Sequence, residues 1–136
     1  MLYLSSPYSG SPEVEEERYS AAVSATVRMI DMGAVVFSPI VHSHHLHKAM
    51  PLDYSKWIDY DLKVLRHCTH FGILMLNGWE FSNGVALEAY WAKRLGLSCC
   101  MIRPNDLHQF SWKKMPERLH ASVQIRKEQW LKEGLI

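Results

Sequence analysis

Glu88 lies in "SNGVALEAYW" (82–91), where its neighbours three and four positions away are Gly84, Val85, Trp91 and Ala92. None of these is basic, so the exposed i,i+4 ion pair that usually accounts for a helical glutamate has no partner here. Nor does Glu88 close a capping box on Ser82, because that box needs its acid three residues after the cap. A carboxylate in this setting is either partly buried or facing a ligand. Asp61 offers a second acid on another helical stretch, and Asp59, two residues earlier, points elsewhere. Tyr3, in the first apolar run, adds a phenol that can reach the same mouth. Two carboxylates and a phenol, with no Ser or Cys triad, suit cleavage of a glycosidic bond. One carboxylate attacks or stabilises the anomeric carbon, and the other helps the leaving group depart. Glu80, between Trp79 and Phe81, is expected at the rim of the same pocket.

The elements that must position these groups follow from apolar runs and their punctuation. "MLYLS" (1–5) is a buried first strand that opens into "SSPYSGSP", a cluster of turn formers. Ser11 is a good helix N-cap, Pro12 suits the first helical position, and Glu13, Glu15, Glu16 and Glu17 place negative charge at the positive end of the helix dipole. Val23, Val27 and Ile30 recur at helical spacing until Gly33 stops the helix. "AVVF" (34–37) is a second strand closed by Ser38-Pro39, and "IVHSHHLHKAMPLD" after it is a long loop or a short helical segment. Residues 54–67 read as a helix with Trp57, Asp61 and Val64 or Leu65 along one side. "FGILML" (71–76) is apolar without a break, as in a strand buried on both faces. A helix from Asn83 to Arg94, a strand "LSCCMI" (97–102) and an amphipathic helix over 116–132 complete the chain.

Alternating strands and helices predict an α/β three-layer sandwich around a parallel sheet of four to five strands, of Rossmann or flavodoxin type, because each parallel return needs a crossover. Ligands of such sheets bind beyond the carboxyl ends of the strands, where the strand order switches. That rule selects "SSPYSG", "SPIVHSHH" and "NGWEFSNG", each of which follows a strand. Neither GxGxxG nor GxxxxGK[ST] occurs. A receiver domain is disfavoured as well, since the first strand ends in serines and not in an acidic pair. Ser5, Ser6, Tyr8, Ser9 and Gly10 precede a helix N-terminus whose free NH groups suit a phosphate or carboxylate, although the same residues also make an ordinary capped turn. His42, His44, His45 and His47 crowd one segment without an HExxH or CxxC companion. A contact from His42 or His44 to a nucleotide or base, or plain packing, is preferred to a metal site.

Composition bounds these readings. The 136 residues fit one domain, residues 1–136, with 48% hydrophobic and 21% charged residues and no repeat or low-complexity tract. A formal charge of +1 recommends neither a nucleic-acid polymer nor an anionic membrane as partner. No apolar run approaches the roughly 20 residues of a spanning helix, and the N-terminus lacks a basic flank and cleavage site, so a cytoplasmic protein is expected. Cys68, Cys99 and Cys100 form no CxxC pair and read as buried free thiols in a reducing compartment.

Three stretches, "LYLSSPYSG", "VVFSPIVHSH" and "DLKVLRHCTHFGILMLNGWEFSNGVALEAYWAKRLG", resemble the nucleoside 2-deoxyribosyltransferase-like superfamily over residues 2 to about 102. That superfamily includes the 2'-deoxynucleoside 5'-phosphate N-hydrolases, and the nearest likeness is to a small branch whose members begin with a PYS loop. The most specific signal is an acid, a buried strand and then S-x-G-x-x-x-E. The resemblance implies that Glu88 is the nucleophile, that Asp61 handles the proton at the nucleobase, and that Tyr3 orients Glu88. It also implies that Ser82 and Gly84, with Asn83 between them, meet a 5'-phosphate, together with the SSPYSG loop. Serine at position 82, where transferases carry a carboxylate for the sugar hydroxyl, favours a phosphorylated substrate. With Trp57 added to the substrate-binding set, the expected function is hydrolysis of a (deoxy)nucleoside 5'-monophosphate or a related nucleotide. The alternatives are a deoxyribosyltransferase and a non-catalytic nucleotide-binding module. No cofactor is expected, the partner is a small nucleotide or nucleoside, and the family's habit implies a homo-oligomer in which a neighbour completes the pocket. Two departures stand out: Pro7 and Tyr8 occupy the loop where a hydrolase would show an arginine, and the histidine-rich segment is richer than a sugar site requires.

Overall fold

A computed structural model describes residues 1–136. In chain order its elements are β1 (Leu2–Ser5), α1 (Pro12–Asp31), β2 (Val36–Phe37), α2 (Pro39–Ala49), α3 (Tyr54–Leu65), β3 (His70–Leu74), a short 3₁₀ turn (Trp79–Phe81), α4 (Asn83–Arg94), β4 (Ser98–Ile102), β5 (Gln109–Trp112) and α5 (Glu117–Glu133). The histidine-rich segment is therefore a helix, α2, begun by Ser38, whose hydroxyl accepts from the Val41 NH at 3.2 Å, with Pro39 in the first turn.

The five strands lie in the order β2-β1-β3-β4-β5. The first four are parallel, and β5 runs antiparallel to β4, with Met101 opposite Phe110. The sequence pattern gives no strand between residues 102 and 116, yet β5 lies there. Its four residues alternate, with Phe110 largely exposed and Trp112 packed against the core, but so short a run at the sheet edge does not stand out as a strand. With helices on both faces the architecture is a three-layer α/β sandwich, and the strand order is the flavodoxin-like one, whose switch point falls between β1 and β3.

Alternation along the strands divides the core in two. Tyr3, Phe71, Ile73, Cys99 and Met101 face α3, α4 and α5, where Leu62, Leu65, Leu87, Leu119 and Trp130 pack against them. Leu4, Leu74, Cys100 and Ile102 face α1, which contributes Ala25 and Met29. The buried stripe of α1 is Ala22, Ala25, Thr26 and Met29, and this corrects the stripe expected from the larger residues: Val27 and Ile30 are 59% and 56% exposed. Ala22 and Ala25 let the α1 backbone lie close to the sheet, with Thr26 and Met29 filling the remaining interface. Cys68, Cys99 and Cys100 are free and buried. No helix is long and apolar enough to cross a membrane.

Candidate active site

At the carboxyl ends of β1 and β3 the loops part around a cavity of about 730 Å³, within the range that holds a small-molecule ligand. Its walls come from the β1–α1 loop (Ser6, Tyr8, Ser9), α1 (Arg18), α2 (His44, His47), α3 (Tyr54, Trp57, Asp61) and the β3–α4 segment (Gly78, Ser82, Asn83, Gly84, Glu88).

Glu88 is 5% exposed. It sits in the second turn of α4, whose start is fixed by Ser82, the hydroxyl of which accepts from the Val85 NH at 3.3 Å. Both of its carboxylate oxygens are held from β1. The Tyr3 hydroxyl donates to Oε2, and the Ser5 hydroxyl donates to Oε1 at 2.8 Å. Tyr3 and Ser5 are two residues apart on one strand and so point to the same face. Ser5 thus ends the strand, as expected, and its hydroxyl is engaged by Glu88 and not by the loop that follows. Burial raises the Tyr3 phenol well above its usual range, and the charges of Glu88 and Asp61 raise it further, so Tyr3 stays protonated and keeps donating.

Asp61, on α3, is 9% exposed, and its Oδ1 has no hydrogen-bond partner. Burial, and after it the neighbouring Glu88 charge, pushes the Asp61 carboxyl up to about 8. Burial pushes Glu88 up to about 7, held back by the hydrogen bonds from Tyr3 and Ser5. The unassisted acid is the harder to ionise, so Glu88 is the first of the pair to give up its proton and Asp61 keeps its own longer. Asp59 points out and pairs with Lys63 at 2.9 Å.

Arg18 was not among the candidates, and it supplies the basic group that the loop itself lacks. Its guanidinium donates to the Ser9 carbonyl at 2.9 Å and to the Asn77 carbonyl at 3.1 Å, tying the β1–α1 and β3–α4 loops together at the cavity wall. Gly78 makes room for it: its φ is +88°, and a Cβ there would stand 3.0 Å from Arg18 Nη2. In sequence Arg18 is one more charge in an acidic helical turn, and only the approach of the second loop gives it a role.

The remaining candidates separate. Ser6 is buried with its hydroxyl unpartnered at the cavity. Gly10 does not line the cavity, because its Cα packs against Val14, where a Cβ would come within 2.8 Å of Cγ1. The four histidines fan out to different partners. His42 lies outside the cavity lining, stacked on Tyr60 at 5.1 Å. His45 meets the edge of Tyr19 at 5.2 Å. His47 accepts from the Trp57 indole NH at 2.8 Å, and both line the cavity. His44 lines the cavity, with the Tyr19 ring stacked on it at 4.0 Å. Asn83 reaches the wall with its amide already engaged, accepting from Trp130 at 3.0 Å and donating to the Tyr54 hydroxyl at 2.8 Å. Glu80 is absent from the cavity wall and pairs with Arg118 of α5 at 2.8 Å. Another α5 residue, Arg126, donates to the Phe81 carbonyl at 2.8 Å, so α5 braces the loop ahead of Glu88 from outside.

Comparison of the chain with curated proteins gives no match. A family model does match, over residues 1–103, a span that contains β1 to β4 and every residue lining the cavity. The chain belongs to that family, described as a domain of unknown function (DUF1937).

Proposed function

We propose that the protein is an N-glycosidase acting on a nucleoside 5'-monophosphate or a related nucleotide. The observation that carries the reading is a pair of buried carboxyl groups in one cavity, one gripped at both oxygens and the other left unpartnered. A nucleophilic carboxylate needs fixed orientation and a full charge, and Tyr3 and Ser5 provide the first for Glu88 without removing the second. A general acid needs its proton near neutral pH, which suits Asp61.

In this scheme Glu88 attacks C1' as the C1'–N bond breaks, and the Asp61 proton passes to the departing base. Water then attacks C1', Asp61 takes its proton, and Glu88 leaves as carboxylate. Trp57, one helical turn before Asp61, offers an indole face for the base. The phosphate lies toward the β1–α1 loop and the start of α4, where Arg18, Ser6, Ser9 and Ser82 present donors. Interception of the glycosyl-enzyme by a second base in place of water would make the same site a deoxyribosyltransferase. The resemblance to the deoxyribosyltransferase-like superfamily also supports a homo-oligomer, which sedimentation would test.

Incubation with a panel of nucleotides and nucleosides, followed by chromatography of free base, tests the reading. Base is expected from a 5'-monophosphate with the parent protein and none with Glu88→Ala. No base from any substrate, with tight binding unchanged in Glu88→Ala, would replace the enzyme by a nucleotide-binding module.

A further inference from the structure

Next to the carboxylate pair the cavity wall carries a second connected set of polar groups that the scheme above leaves unused. His44 of α2 is 3% exposed, yet both of its ring nitrogens are engaged. Nε2 lies 2.9 Å from Glu16 Oε2 of α1, and Nδ1 lies 2.7 Å from the Tyr8 hydroxyl of the β1–α1 loop. The ring of Tyr19 stacks on the imidazole at 4.0 Å and 15°.

The proton positions follow from the partners. Glu16 is a carboxylate, lowered first by its hydrogen bond to His44 and further by the charge of Lys48, against the smaller opposing effect of burial, so it can only accept. Nε2 must therefore carry a hydrogen. In the neutral ring Nδ1 is then bare, and the Tyr8 hydroxyl donates to it. Tyr8 is held as a phenol, since burial first and then Glu15 and Glu16 raise it above its usual range. With its hydrogen committed to His44, the Tyr8 oxygen can offer the cavity only lone pairs. Protonation of Nδ1 reverses the link: the imidazolium donates to the Tyr8 oxygen, and the phenolic hydrogen is free to turn toward a ligand.

We propose that Tyr8, His44 and Glu16 form a proton-coupled anion reader, in which a tetrahedral oxyanion of the ligand accepts the Tyr8 hydroxyl hydrogen while His44 takes up one proton from solvent on Nδ1. The balance is one proton gained by the protein for each anion bound, with no covalent bond made or broken. The inference rests on the reading that the cavity takes a phosphorylated ligand. The neighbours support it. Ser6, in the same loop as Tyr8, has a buried hydroxyl without a partner, and the Arg18 guanidinium lines the same wall. The groups facing His44 suit an imidazolium: the carboxylate of Glu16 in contact, Glu15 farther along α1, and the electron-rich face of Tyr19. The positive side chain of Lys48 on α2 opposes it, and Glu16, 3.8 Å from Lys48 Nζ, screens that charge, while the His45 ring meets the imidazole edge-on at 4.9 Å. A link that served folding alone would have no need to end on a hydroxyl at the cavity wall.

The test uses sulfate, a tetrahedral dianion that does not itself titrate near neutral pH, and follows the ¹⁵N shifts of the His44 ring, assigned by difference from His44→Asn. Saturating sulfate is expected to move Nδ1 from the bare to the protonated position and leave Nε2 protonated. Tyr8→Phe should abolish that movement and weaken sulfate binding about tenfold, the loss of one hydrogen bond to a charged group. Glu16→Gln, at an exposed position on α1, should reduce the movement with the fold intact. Ribose 5-phosphate should repeat the result. Sulfate that binds, as seen in the amides of Ser6 and Ser9, with no change at Nδ1 overturns the reader, and so does a protein that binds neither anion. Glu88→Gln is included because proton uptake confined to the carboxylate pair would vanish in that variant and persist in Tyr8→Phe, which also overturns it. Base release from nucleotides is measured separately. Failure there alone removes the glycosidase and leaves the reader standing.

Discussion

Replacing Asp61 by Asn should make the protein less active and, above neutral pH, more stable. In the unfolded chain the Asp61 carboxyl titrates at about 3.8, and in the folded protein at about 8. A group raised on folding contributes its stability below the unfolded value and loses it as pH climbs to the folded one. Between about pH 5 and about pH 8 the unfolded carboxyl is ionised while the folded one keeps its proton, and three pH units of linkage amount to about 4 kcal/mol. The cavity opens to water, which screens part of that penalty, so about 2 kcal/mol is the working figure. Asn has nearly the same shape and nothing to titrate. Urea unfolding at the two pH values is the assay. Wild-type stability should fall by about 2 kcal/mol more than that of Asp61→Asn between about pH 5 and about pH 8, with similar m-values. Parallel stability curves for the two proteins would show that Asp61 is ionised in the folded state, and the division of roles between the two acids would fall with it.

Removing the donors on β1 separates orientation from charge. Tyr3→Phe and Ser5→Ala should each lower kcat for base release by about tenfold to a hundredfold, the range for one hydrogen bond to a charged group, while KM changes little. The Glu88 carboxyl should rise further in both, so the alkaline loss of stability steepens, and ¹³C shifts of the carboxyl would report it. Trp130→Phe removes the indole NH that holds Asn83 and part of a buried side chain, so a loss of about 1–3 kcal/mol in urea unfolding is expected. Activity should drop with it if α5 braces the start of α4, and unchanged kcat in a destabilised variant would confine α5 to packing.

The carboxylate pair was legible because helical spacing leaves Glu88 without a basic neighbour and separates Asp61 from the solvent-facing Asp59–Lys63 pair. Tyr3 is expected on the first strand within reach of the mouth, and its hydroxyl does meet Glu88 there. Strand alternation sets Ser5 beside Tyr3, but Ser5 ends the strand where the loop of "LSSPYS" begins, and so it also reads as a loop ligand. Arg18 was hidden because its function depends on Asn77 and Gly78, some 60 residues away, and no local pattern reports such an approach. The buried face of α1 was misjudged because Val and Ile outweigh Ala on any hydropathy count, whereas close packing on a sheet selects small residues. The edge strand β5 owes its existence to pairing with β4, a tertiary cause that a four-residue run with two apolar side chains is too short to announce.

The grip on Glu88 comes from alternate residues of a strand whose register against β3 sets Tyr3 opposite Phe71 and Ser5 opposite Ile73. A slip of β1 by one position would turn both hydroxyls to the α1 face and put Leu2 and Leu4 beneath the carboxylate. Glu88 would then be buried against methyl groups and would hold its proton instead of a negative charge. Correct strand pairing and an ionisable, oriented Glu88 are thus one event. The first strand acts as a folding check written into the chemistry of the site.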